Sequence, residues 1–115
     1  MSARDRTSLA RARRVHACVF AALGDETRLS LIGQLCGGQR RSITQLAEGA
    51  SVTRQAISKH LLVLEKAGFV RRARQGRESL YVFQPGAVDD ARAYLDRVGR
   101  QWDETLGRLK AFIES

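Results

Sequence analysis

Two short apolar stripes of helical period, separated by a few residues and followed at once by a run of alternating period, leave this chain few folds to choose from. Ser42 opens the first stripe with Ile43, Leu46 and Ala47, and Gly49 closes it. Ala50-Ser51-Val52 then leads to Thr53, after which Ile57, Leu61 and Leu64 recur on one face until Gly68. Ser and Thr accept hydrogen bonds from the free N–H groups of a helix start, and glycine adopts the left-handed conformation that ends one. Two helices on so short a link cannot lie side by side in extended fashion, so they cross steeply. From Phe69-Val70 the chain reads as extended, Gln75-Gly76 offers a turn, and Leu80-Tyr81-Val82-Phe83 completes a hairpin.

Helical periodicity also flanks this centre. Val15, Val19, Ala22 and Leu23 predict a first helix that stops at Gly24. Asp25 is a good N-cap for a second, with Leu29, Ile32 and Leu35 as its apolar stripe and Gly37-Gly38 as its end. Pro85-Gly86 breaks the chain before a long final helix, along which Val88, Ala91, Leu95, Val98, Trp102, Leu106, Leu109 and Ile113 are spaced three or four residues apart. The order is α-α-α-α-β-β-α, a mainly helical winged helix-turn-helix. A chain of 115 residues supports one core, so residues 15–115 are expected to form one domain and the polar, unpatterned residues 1–14 a flexible basic arm.

Charge narrows the partner. The net charge is +8, and it is uneven: residues 1–84 carry 15 Lys/Arg against 6 Asp/Glu, residues 85–115 carry 5 against 6. A basic body calls for a polyanion. Opposite its apolar face the fourth helix presents Arg54, Gln55, Ser58 and Lys59, residue types that reach base edges or phosphates in a major groove. The hairpin adds Arg71, Arg72, Arg74 and Arg77 around its turn, an electrostatic cost that an anion opposite would offset. No run approaches 18 apolar residues, and the arginine-rich start is not followed by a signal-peptide pattern, so a cytoplasmic protein is expected.

The stretches "ALGDETRLSLIGQL" and "ITQLAEGASVTRQAISKHLLVLEKAGFVRRARQGRESLYVF", with the trailing helix, resemble the ArsR/SmtB family of bacterial winged-helix repressors over roughly residues 15–113. The resemblance implies a homodimer built from the first and last helices, with the fourth helix reading an inverted-repeat operator in double-stranded DNA. By motif position it assigns Thr53, Arg54, Gln55, Ser58, Lys59 and His60 to DNA reading and Arg72, Arg74, Gln75 and Arg77 to the wing. Ser42 and Gln45 complete the expected DNA-binding set. Val15, Val19, Leu95, Val98, Trp102, Leu106, Leu109 and Ile113 form the expected dimer interface, since the final apolar stripe is longer than one small domain can cover.

The chain departs from metal-sensing members of that family. Arg41-Ser42-Ile43-Thr44-Gln45 contains no thiol, and the last helix contains no histidine. Soft-metal sites need three or four converging thiolates or imidazoles, and His16, Cys18, Cys36 and His60 lack such spacing, so no metal or cofactor is expected. The two cysteines are expected to be free thiols. No phosphate loop, nucleophile elbow or paired carboxylates mark an enzyme. Two alternatives stay open at this point, a redox- or ligand-responsive repressor and a basic RNA-binding module. The scarcity of aromatics near the basic face weighs against stacking on single strands.

Overall fold

The computed structural model describes residues 3–115. Its elements run α1 (Ala3–Leu23), α2 (Glu26–Leu35), β1 (Arg41–Ser42), α3 (Ile43–Ala47), α4 (Arg54–Lys66), β2 (Val70–Gln75), β3 (Glu78–Phe83) and α5 (Pro85–Glu114). The expected order is present, with one strand added. Arg41 and Ser42 pair with Tyr81 and Leu80, so the hairpin becomes a three-stranded antiparallel sheet in the order β1-β3-β2. Two residues are too few to show an alternating pattern, and only the tertiary pairing reveals them as a strand.

Local chemistry sets most of the boundaries. The Asp25 carboxylate accepts from the Arg28 backbone N–H at 3.0 Å and starts α2. Ser42 and Gln45 form a capping box at α3: the Ser42 hydroxyl accepts from Gln45 N–H at 3.2 Å, and the Gln45 side-chain oxygen accepts from Ser42 N–H at 2.9 Å. Thr53 Oγ1 accepts from Ala56 N–H at 3.1 Å and caps α4. At the other end of α4, Gly68 at φ +87° lets Phe69 N–H reach the Leu64 carbonyl at 2.9 Å and Gly68 N–H reach that of Glu65 at 3.1 Å. That pair of bonds is the Schellman closure.

The core gathers Val19, Ala22, Leu31, Ile32, Leu35, Leu46, Ile57, Leu61, Leu64, Phe69, Val70, Tyr81 and Ala91. It draws on the C-terminal part of α1, on α2, α3 and α4, on the base of the sheet and on the first turns of α5. Four expectations need correction. The segment expected as an arm is helical from Ala3, because Ala, Arg and Leu favour helix strongly while its exposed surroundings impose no apolar stripe to read; Met1 and Ser2 of that arm lie outside the described residues. In α2, Leu31 is buried at 1% exposure and Leu29 is left at 53%, because the sheet and α4 cover a face rotated from the expected one. α5 begins at Pro85 itself, whose missing N–H costs nothing at the first helical position. The turn is the two-residue loop Gly76-Arg77 between paired Gln75 and Glu78, with Gly76 at φ +63°.

Past Ala91, Tyr94 still packs against His16 and Phe20 of α1, and only farther along does α5 leave the domain, with residues 101–115 exposed throughout. No described helix is long and apolar enough to cross a membrane.

Candidate nucleic-acid interface

Burial of Ile57, Leu61 and Leu64 decides which face of α4 looks outward. Thr53, Arg54, Gln55, Ser58, Lys59 and Leu62 are exposed. Gln55, Ser58 and Lys59 have no hydrogen-bond or ion-pair partner among the described residues, so their polar groups are available to a ligand. Arg54 is held differently: its Nη2 donates to Thr44 Oγ1 at 2.7 Å, tying the start of α4 to α3. Four other N–H donors of the guanidinium remain.

The pleat sorts the wing. Val70, Arg72 and Arg74 alternate along β2 on the face shared with Tyr81 and Phe83, their cross-strand partners being Phe83, Tyr81 and Ser79. Arg71 and Gln75 project to the opposite face, and Arg77 sits in the loop. Arg71, Arg72, Arg74 and Arg77 are all exposed, and none has an acidic partner among the described residues. Between wing and helix lies a cleft of about 260 Å³ lined by Ser58, Lys59, Leu62, Glu65, Arg72 and Tyr81. The reading row of α4 and the inner face of the wing are therefore continuous. A sequence reading built on polar side chains passes over Leu62, which lines the cleft, and Thr44, whose part is to hold Arg54 and is visible only from the fold.

Three expected site residues are placed elsewhere. Ser42, its hydroxyl oxygen accepting in the capping box, is only 5% exposed, and that burial takes it out of the DNA-binding set. His60 is half-buried on the flank of α4 and faces α2, with Nδ1 3.1 Å from Arg28 Nη1. It points away from the exposed row because α2 packs against that flank. Val19 is 7% exposed and belongs to the monomer's own core, so it leaves the expected interface. Gln45 is exposed, with its side-chain oxygen engaged in the cap and its amide donors remaining.

The remaining interface residues are open. Val15, Leu95, Trp102, Leu106, Leu109 and Ile113 are each more than half exposed, and Val98 partly so. Phe112, three residues after Leu109, joins them at 79%. His16 stacks on Tyr94 at 4.3 Å between ring centroids, joining α1 to α5. Cys18 and Cys36 are exposed free thiols, and the described residues contain no group of three or more His, Cys, Asp or Glu side chains able to hold a metal ion.

Two short helices packed together on a brief link, the second with an outward polar row and followed by a basic hairpin, define a winged helix-turn-helix DNA-binding protein. Residues 23–73 match the family model of a helix-turn-helix domain. The chain is 32% identical over 96 residues to the HTH-type transcriptional regulator Rv2034 of Mycobacterium tuberculosis, covering 84% of this chain and 86% of that one. An ArsR-like transcriptional regulator from Rhodococcus sp. RHA1 superposes with a TM-score of 0.84 at 36% identity, over 92% of this chain and 96% of its own. The homodimeric winged helix-turn-helix DNA-binding domain of Mb0332 from Mycobacterium bovis superposes at 0.60 with 25% identity, over 92% and 91% of the two chains. The chain belongs to the ArsR family of DNA-binding transcriptional regulators.

Proposed function

We propose that this protein is a homodimeric repressor that binds an inverted-repeat operator in duplex DNA, each copy inserting α4 into a major groove and laying its wing on the adjoining backbone. The observation that carries the reading is the unneutralised basic surface: exposed Arg72 and Arg74 share the cleft side of the sheet with Ser58 and Lys59, and no acidic group among the described residues pairs with them. Gln55 and Arg54 are the base readers, suited to adenine and guanine, and Thr53, Gln45, Arg74 and Arg77 hold the phosphates. Association runs along α5, whose apolar row would otherwise stay in water; that the Mycobacterium bovis domain is a homodimer supports a dimer of this chain.

Selection from a pool of random duplexes tests the reading directly. An inverted repeat with half-sites about one or more helical turns apart is the expected product. Enrichment of a single unrepeated site would overturn the dimeric part, and equal retention of all duplexes would overturn sequence recognition.

A further inference from the structure

His60 lies on the recognition helix but not on its reading face. Its Nδ1 is 3.1 Å from Arg28 Nη1, and a guanidinium can only donate, so Nδ1 is the acceptor and the ring proton sits on Nε2. The same Arg28 donates Nε to the Ala22 carbonyl at 2.7 Å and Nη2 to the Ala21 carbonyl at 3.2 Å. Those carbonyls belong to the last turn of α1, where helical acceptors lack internal donors and a cation complements the helix dipole. Asp25, capping α2 through Arg28 N–H, has its Oδ2 3.8 Å from His60 Nδ1. One arginine side chain thus joins the end of α1 to the middle of α4, and its backbone N–H belongs to the cap of α2.

Apolar contacts through Ile57, Leu61 and Leu64 hold α4 onto the core, but hydrophobic burial has no direction, and a helix can roll on such a face. Hydrogen bonds from a planar guanidinium do have direction. Helix α1 in turn is keyed to α5 by the His16–Tyr94 stack, and α5 is the helix along which two copies associate in the reading above. We propose that Arg28 and His60 form the joint that sets the angle of the recognition helix against the dimerising helices, making both positioning residues for two half-sites at a fixed separation. The inference rests on the dimeric DNA-binding function proposed above.

The full chain is tested as His60→Leu, which removes the acceptor and keeps bulk, and as His60→Asn, whose side-chain oxygen can accept again. Binding is measured on the selected inverted repeat, on the same repeat with its spacer changed by one base pair, and on a single half-site. For His60→Leu, the full repeat is expected to bind about tenfold more weakly, the order lost with one charge-assisted bond. Discrimination between spacers is expected to shrink, while half-site affinity and sedimentation stay as in the parent; His60→Asn regains the parent's behaviour. An unchanged spacer preference in His60→Leu, or an equal loss on the half-site, overturns the joint. Should His60→Leu fail to fold, Arg28→Lys decides: it keeps the charge but cannot reach three acceptors, so retained spacer preference overturns the proposal and its loss supports it. A parent chain that prefers no inverted repeat overturns the dimeric reading instead, a result separate from any variant.

Discussion

Arg54 and Gln55 stand side by side at the start of α4, yet only one is oriented by the protein. Thr44 receives a hydrogen bond from Arg54 at 2.7 Å, which limits the rotamers the guanidinium must give up on binding. Gln55 has no such tie and is ordered only by its target. Gln55→Ala is therefore expected to relax preference at one base position at a cost of about 1–3 kcal/mol. Competition between operator and random duplex reads this, and equal losses on both would reassign Gln55 to the backbone. Asp25 supplies a second residue-scale expectation. Its carboxyl is held below the ordinary value of 3.8, chiefly by the Arg28 backbone N–H, with the Arg28 charge adding to the effect. A folded value below the unfolded one means that the contribution to stability is fully present above about pH 4 and is lost as pH falls through the folded value. Asp25→Asn keeps a capping oxygen without the titration, so urea midpoints between about pH 5 and pH 2 should fall less steeply in the variant than in the parent. Superimposable acid limbs would remove Asp25 from the account.

At the scale of elements, the wing and the end of α4 behave as separate devices. The wing carries charge on a two-residue turn, and its arginines make no ion pair among the described residues. Arg74→Ala or Arg77→Ala should weaken binding to every duplex alike and lower the slope of log affinity against log salt by about one unit each; an unaltered slope would show that neither meets a phosphate. Helix α4 ends on Gly68 at φ +87°, where an added Cβ would meet only Ala87 Cβ at 3.6 Å. Space is available there, and backbone conformation is the obstacle. Gly68→Ala is thus expected to cost about 1–2 kcal/mol, measurable as a lower urea midpoint with an unchanged m-value. A neutral variant would mean that the closure of α4 does not need the left-handed residue.

Over the whole molecule the uneven feature is α5. Its 30 residues span roughly 45 Å at 1.5 Å per residue, and Ala91 is the only one of them that is buried. Trp102 at 62% exposure and Leu106 at 53% lie mid-row, flanked by Leu95, Leu109 and Ile113. A second copy meeting this row about a two-fold axis covers it and presents two recognition helices to one face of DNA. Trp102→Ala combined with Leu106→Ala should shift sedimentation to the monomer and reduce operator binding with it, since a truncated aromatic anchor often costs 2 kcal/mol or more. A double mutant that stays dimeric would place the seam elsewhere.

The order of helices, the Asp25, Ser42 and Thr53 caps, the glycine stops and the hairpin were all readable from the chain, because each depends on neighbours within about one helical turn or across one tight turn. The exposed row Arg54, Gln55, Ser58 and Lys59 was readable for the same reason: once Ile57, Leu61 and Leu64 are assigned inward, the helical repeat assigns the rest outward. Tertiary structure decided what periodicity leaves degenerate. Which of Leu29 and Leu31 is buried depends on what packs against α2, and β1 exists only because β3 lies beside it. The fate of Ser42 and His60 was settled in the same way. A serine or histidine carries the same donors and acceptors whether it serves DNA or a neighbouring helix, and only the distances to Gln45 and Arg28 tell the two apart.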